Sequence, residues 1–539
     1  MVKKKTPSTT SSVTAAAANT QDINNIDNSN QHDDWKDDDP AQKYNKASIM
    51  TSLLTHWKGA KAFGKAQAQV LVVLVIAYIG NNWPHSYHRN DNHDPSMFWI
   101  MNGAILVAAL ATMKHDPNAS ARGVQLLSRA QTEEWKGWMQ WAFIMVRTNT
   151  NTNTHKTERL LSLVKVTHLN FIVSLLLQYH YYRMFSVYNE IRVFVSAYVW
   201  MTGFGNFLYF DKKKDFSLER AISMWLRINY FPLLLSWSIN VPLELYYVVP
   251  LHTAGFFITM ATCFVANNLL PTQWTPTKKN LTAIFLCLLA HILFYETSAV
   301  DVLKYFGDGK EYHFRFQSDK YTAWVGILSG FAWFKFKEFM QWCYNVEQQA
   351  WQQQLAMWGQ RLLGVLLMYL WYALFGHIND KFVYNPVHPY IFWVPIAGWL
   401  MVRNSSKYLT ELHAGALEFF GRITLETYVL QFHVFMCNKV QHIPVVIPGA
   451  GADGSWALKT LNMLVCGVLF VALAFWARQI TVETQTSVTE LVGLLWRGPP
   501  PPPVDDDQSA KLVVGDTGSR NGKDDVELAS SPGKIDQAA

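Results

Sequence analysis

Charge is scarce in this 539-residue sequence. Only 16% of its residues are charged, while 50% are hydrophobic and 14% aromatic; an ordinary soluble domain carries about 25% charged residues. A soluble chain of this length would divide into domains of roughly 150 residues, but so little charge, much of it at the two ends, argues for a chain immersed in lipid. A basic excess is missing too. Lys and Arg number 46 against 40 Asp and Glu, which is too even for a nucleic-acid binder that must neutralise phosphates. Cysteine is sparse: Cys263, Cys287, Cys343, Cys437 and Cys466 lie far apart, four of them in apolar runs, so neither a zinc spacing nor a disulfide framework is present. The basic start at Lys3 to Lys5 has no apolar stretch behind it. A cleaved secretory leader is therefore not expected, and targeting falls to the first membrane helix.

Long apolar runs dominate what remains. Residues 1–60 and 497–539 are too polar to offset the entropy of ordering and read as disordered tails, the second opened by the prolines Pro499 to Pro503. Between them, runs approaching the roughly 20 residues that cross a bilayer lie near 66–84, 97–113, 191–210, 221–238, 245–267, 281–298, 321–342, 360–377, 387–402, 413–438 and 459–477. Trp83, Trp99, Tyr246, Tyr247, Trp324, Tyr390 and Trp393 mark run ends, as expected of rings at the headgroup level. Open sheet edges are not tolerated in lipid. The expected fold is all-α, a polytopic helical bundle of about 10–12 spans.

One segment interrupts the pattern. The helix-like run Trp135 to Met145 breaks into the polar repeat Val146 to Thr154, and apolar character resumes near Tyr179. Removing 146–178 would join Trp135–Met145 to Tyr179–Tyr182 as a further span, third in order, so the block reads as an insertion or a retained intron. Counting that span, Lys58, Lys61 and Lys65 precede the first crossing. Lys212 to Lys214 follow the fourth, Lys278 and Lys279 the sixth, and Arg403 and Lys407 the tenth. Alternate crossings put all of them on one side, which the positive-inside rule assigns to the cytosol together with both termini. The triplets at Asn118, Asn280 and Asn404 would then be cytosolic and read as chance matches to a glycosylation signal.

Several strings carry a resemblance. Gln131-Thr132-Glu133-Glu134-Trp135-Lys136-Gly137-Trp138-Met139-Gln140 is one, and Tyr188 to Phe194 running on to Phe207 is another. Asp319-Lys320-Tyr321, Tyr384-Asn385 through His388-Pro389-Tyr390, and Ile423 to Tyr428 through Gln431-Phe432-His433 complete the set. Together they make residues 66–480 similar to the multi-span acyltransferase domain of the plant reduced wall acetylation proteins, the fungal capsule O-acetylation protein and animal sialate O-acetyltransferase. The resemblance implies a Golgi membrane protein of glycan O-acetylation, with acetyl-CoA as the ultimate donor and a glycan or polysaccharide as acceptor. Members that act alone carry a luminal Ser-Asp-His hydrolase-like domain before the membrane domain. The short polar N-terminus here leaves no room for one, so the plant branch, thought to feed separate luminal transferases, is the nearer likeness. Two departures from that branch are the block 146–178 and the expected lack of a last hydrophobic segment after 459–477.

Ionisable groups inside a membrane are costly and default to functional hypotheses. The expected topology sorts them into two layers. At the cytosolic mouth of the third span stand Glu133, Glu134 and Lys136; Glu133 and Lys136, three apart, can pair on one helical face, while Lys136 with Arg122 and Arg129 can hold the phosphates of coenzyme A. On the luminal side His252, His388, His433, Asp319 and Arg192 are expected to gather into one pocket, where an imidazole can take and return a proton during acetyl transfer. His433 is the first candidate within its family string and His252 the second, as nucleophile or base. Glu426 lies seven residues before His433, about 10 Å along a helix axis, too far for a direct hydrogen bond, and can orient a water or donor group. His388, before Pro389, reads as a helix start. Asp319 can fix a histidine tautomer or pair with Arg315, and Arg192 and Asn206 can polarise the acyl carbonyl. For each, interhelical packing is the structural alternative. Gly203 and Gly205 read as packing positions. No histidine pair has the i, i+4 spacing of a metal motif, and no metal is expected.

The expected function is polysaccharide O-acetylation by an integral membrane enzyme bathed in lipid. The alternative is an acetyl-donor translocator feeding a separate luminal O-acetyltransferase.

Overall fold

The computed structural model describes residues 57–92, 95–116, 129–142, 188–307, 309–344, 351–378 and 380–497. The chain divides into units Met1–Ser52 and Leu53–Ala539, and every described residue belongs to the second. The block 146–178, the C-terminal tail from 498 and nearly all of the N-terminal tail lie outside the described residues.

Sixteen α-helices are found among the described residues. Five helical segments, Ala60–Asn81, Tyr188–Lys213, Val248–Leu269, Pro276–Tyr295 and Trp456–Trp496, are long and apolar enough to cross a membrane. Their outward faces are aliphatic: Leu71, Phe285 and Val468 are 63%, 64% and 70% exposed. In water each such side chain would forgo about 1.5–3 kcal/mol of burial; against lipid tails it costs nothing. The interior is correspondingly polar, holding Arg192, Glu426, His252, His388 and His433.

The elements that frame the interior are α1 (Ala60–Asn81), α2 (Pro95–Ala111), α3 (Arg129–Ala142), α4 (Tyr188–Lys213), α5 (Leu218–Ile239), α6 (Val248–Phe264), α7 (Pro276–Tyr295), α8 (Gly309–Ser318) and α9 (Thr322–Tyr344). They continue as α10 (Trp351–Trp371), α11 (Lys381–Ile391), α12 (Trp393–Arg403), α13 (Lys407–Glu411), α14 (Gly415–Arg422), α15 (Thr424–Leu430) and α16 (Trp456–Arg497). Two small antiparallel ribbons tie remote loops: Ser86–His88 pairs with His442–Pro444, and Met113–His115 with Leu412–Ala414.

Glycine sets the closest helix contacts. A Cβ on Gly203 of α4 would strike the Ala323 carbonyl of α9, and one on Gly326 would strike the Trp200 carbonyl and lie 3.0 Å from the Gly203 Cα. Gly364 of α10 and Gly398 of α12 approach alike, each Cβ falling 2.6 Å from the other's carbonyl oxygen. Gly137 of α3 meets the Leu417 backbone of α14, and Gly421 of α14 meets that of Glu133. Without a hydrophobic drive between helices in lipid, such close backbone packing is what holds them. Gly205 differs from Gly203: nothing lies within 4 Å of its Cβ position.

Three expected spans take other shapes. The run near 387–402 is two helices, α11 and α12, meeting at Phe392, where Pro395, in the first turn of α12, has no N–H to bond the Ile391 carbonyl. The run near 413–438 divides into a strand, α14, α15 and a π-helical turn at Gln431–Phe435. The run near 459–477 is the first half of α16, whose 42 residues extend about 63 Å at 1.5 Å each, about twice the hydrocarbon thickness. Its cytosol-directed part, by the expected orientation, carries Thr481, Thr484, Gln485, Ser487 and Glu490. Thr484 accepts from Gln67 of α1 at 3.1 Å, and Gln485 donates to Ser223 of α5 at 2.8 Å.

Candidate functional site

Tyr198, in the middle of α4, is the common neighbour of a buried charged group. The His252 ring stands edge-on to it with centroids 4.1 Å apart. The chain enters α6 through a tight helical turn at Leu243–Tyr246, and His252 Nδ1 hydrogen-bonds the Thr202 hydroxyl. Thr202 is the fifteenth of the 26 residues of α4, and His252 is the fifth of the 17 residues of α6. Glu426 of α15 accepts from Arg227 of α5 at 2.7 Å through Oε1. Arg227, Glu426, Glu133 and Arg478 of α16 all lie within electrostatic reach of Tyr198, and Lys136 within reach of His252. Glu133 and Lys136, expected at a cytosolic mouth, thus act electrostatically on Tyr198 and on His252, expected on the luminal side.

Three polar atoms here are buried without a hydrogen-bond partner among the described residues: His252 Nε2, Glu426 Oε2 and Arg478 Nη1. Each such atom costs about 1–3 kcal/mol. A lone pair, an acceptor and a cationic donor left open around one tyrosine make a place for a polar guest. In the tautomer whose Nδ1–H is donated to Thr202, Nε2 presents a lone pair able to take a proton.

Two other histidines sit in closed networks. Arg192 of α4 binds Asp319 at 2.8 Å. Ser196 donates its hydroxyl to Asp319 at 2.5 Å and therefore accepts from His388 Nε2 at 2.7 Å; His388 Nδ1 lies 2.9 Å from the Tyr384 hydroxyl, which also reaches the Asn189 carbonyl at 3.3 Å as donor. His388 lies late in α11, fully buried, not at a helix start; Asp380 caps that helix instead, accepting from the Phe382 amide. Asp319 pairs with Arg192, while Arg315 bonds Glu311 at 2.6 Å. His433 donates Nδ1–H to Asn81 of α1 at 2.9 Å, and its Nε2 accepts from the Tyr246 hydroxyl. No two of the three imidazoles share a hydrogen-bond partner, while Arg192, Asp319 and His388 of the expected luminal group are joined through Ser196. Arg192 keeps two buried N–H groups, on Nε and Nη1, without a partner.

The remaining expected residues are placed as follows. Lys136 pairs with Glu133 at 3.1 Å, and Glu134 binds Arg403 of α12 at 3.1 Å. Asn206 donates to the Thr202 carbonyl of its own helix at 2.8 Å. Glu426 and His433 are in separate networks, the π-helical turn breaking the regular helix between them. Among the described residues no group of three or more His, Cys, Asp or Glu is placed to hold a metal. A cavity of about 400 Å³ beside α1 and α16, lined by Ile76, Trp83, Val434, Leu469 and Trp476, is apolar and lies away from the charged centre. Sequence reasoning missed Tyr198, Arg227 and Arg478. Arg227 was visible as a lone charge inside the run 221–238, and Arg478 fell one residue beyond the run 459–477.

Comparison with known proteins adds the following. Residues 6–172 and 170–496 match the family model described as the 10 TM acyl transferase domain found in Cas1p. An N-acetylneuraminate (7)9-O-acetyltransferase from Danio rerio is 26% identical over 378 residues, which are 67% of this chain and 43% of that protein. The chain thus spans less than half the length of this curated relative. No solved structure matches.

Proposed function

The chain belongs to the 10 TM acyl transferase domain family, and from that membership we propose that it is a membrane O-acetyltransferase, transferring acetyl from acetyl-CoA to glycan hydroxyls. The observation that carries this reading is the open Nε2 of a buried histidine at the centre of a multi-span bundle. An acceptor hydroxyl at His252 Nε2 loses its proton as its oxygen bonds the acetyl carbon. On collapse the carbon–sulfur bond breaks, sulfur keeps the electron pair, and His252 returns the proton to the thiolate. Glu426 Oε2 holds a second acceptor hydroxyl, and Arg227 keeps that carboxylate in place. Lys136, with Glu133 beside it, meets the donor on the cytosolic side; Glu134 fixes their helix to α12 through Arg403. The spare N–H groups of Arg192 face the acceptor side, and the closed networks of His388, Asp319 and His433 hold the helices that frame it. The location is the Golgi membrane with both termini cytosolic, and the acceptor is a cell-wall or extracellular polysaccharide. The relative's printed substrate, a sialic acid, supports a glycan acceptor.

Purified protein in liposomes, with labelled acetyl-CoA outside and oligosaccharide inside, tests the proposal. Ester formation with no added luminal transferase is the expected result. Label that becomes luminal without glycan ester would replace the enzyme by a donor translocator feeding a separate luminal O-acetyltransferase.

A further inference from the structure

An acyl transfer needs, besides a base, a group that meets the negative charge developing on the carbonyl oxygen. Asn206 spends an amide hydrogen on its own helix, and Arg192 is held by Asp319 at the tenth residue before Thr202, about 15 Å along the α4 axis from the hydroxyl that orients His252. Arg478 stands differently. It lies mid-way along α16, and its Nη1 is buried with no hydrogen-bond partner among the described residues. The charges that act on it most are Arg227, a like charge, then Glu426, whose Oε1 is already taken by Arg227, and then Glu133, which pairs with Lys136. A guanidinium in lipid normally pairs with a carboxylate or carbonyls. This one keeps a buried cationic donor without a partner among the described residues, and it acts electrostatically on Tyr198, the ring packed edge-on against His252, whose Nε2 is likewise open.

We propose that Arg478 is the catalytic residue that stabilises the oxyanion of the acetyl transfer, its Nη1–H meeting the thioester oxygen. The inference rests on the acetyltransferase reading and adds one step to it. As the acceptor oxygen bonds the carbonyl carbon and its proton passes to His252, the carbonyl electron pair moves onto oxygen opposite Arg478. When that pair returns, the thiolate leaves and takes the proton from His252. Arg227 adds positive charge without touching the reacting atoms, because its Nη1 is bound to Glu426. An oxyanion donor is worth about 10²–10³ in kcat and, because the charge exists only in the transition state, little in KM.

The test is steady-state acetyl transfer by the full chain in liposomes with acetyl-CoA as donor, comparing wild type, Arg478→Gln and Arg478→Lys. Binding of the non-transferable thioether analogue of acetyl-CoA is measured alongside. Arg478→Gln is expected to lower kcat by about 10²-fold or more with KM and analogue affinity within about threefold, and Arg478→Lys to fall between. Should the glutamine variant not fold, the lysine variant, which keeps the charge, must still lose about tenfold in kcat. A wild-type kcat in either variant, or a loss wholly in KM and analogue binding, overturns the proposal. A wild-type protein that forms no ester instead defeats the underlying acetyltransferase reading.

Discussion

Of the three histidines that the sequence singles out, two have both ring nitrogens engaged and one does not. His388 has Ser196 and Tyr384 at its two ring nitrogens and His433 has Tyr246 and Asn81; at His433, taking up a proton on Nε2 would break the bond from Tyr246. His252 can take one at Nε2 without that loss. A family string raises the standing of His433, but string position cannot report which nitrogen is free; that depends on Tyr246 and Asn81, 187 and 352 residues away. Glu296, outside the spans at the end of α7, shows the electrostatics of the rim. It accepts from Lys320 at 2.7 Å, from the Tyr321 hydroxyl at 2.7 Å and from that of Tyr390 at 3.0 Å. These bonds, that from Lys320 foremost, hold its carboxyl below the ordinary value of 4.5 against the opposing effect of burial. A depressed folded-state pKa gives stability that is present above the unfolded value and lost as pH falls through the folded one. Thermal stability in detergent should therefore drop as pH falls below about 4.5, and Glu296→Gln should lower it at neutral pH while flattening that acid limb; an unchanged limb would contradict the assignment.

Helices were legible as hydrophobic runs wherever the backbone stays regular. The run 321–342 became α9 (Thr322–Tyr344) and 191–210 became the core of α4. Hydropathy alone could not show the joint at Phe392 or the π-helical turn at Gln431, because apolar side chains continue across both while the backbone changes course. It also ended α16 too early: the polar face from Arg478 to Glu490 reads as loop, yet it pairs with Gln67, Ser223 and the backbone amides of Lys58 and Gly59 across α1 and α5. The packing role read for Gly203 is what α9 meets, whereas Gly205 points into open space. Gly326→Val must push α4 and α9 apart, and overpacking of this kind costs about 1–3 kcal/mol. Gly205→Ala should leave the melting temperature unchanged or raise it, since alanine favours a helix by about 1 kcal/mol over glycine. Detergent thermal melts of the two variants check this, and equal behaviour would refute close glycine packing as the bond between these helices.

At the scale of the whole molecule, an apolar exterior encloses a charged interior assembled from α3, α4, α5, α6, α15 and α16. That inversion is what low charge content and periodic apolar runs announce. Which charges meet is set by contacts between residues hundreds of positions apart, such as Arg227 with Glu426.

The central claim is that His252 carries the proton of the transfer. Single-turnover reaction of acetyl-CoA in liposomes, following thiol release and glycan ester together, tests it most directly in His252→Gln. The account predicts wild-type donor binding with both products slowed by about 10²–10⁴-fold, the usual contribution of a general base. Thiol and ester appearing in the variant at the wild-type rate would contradict it.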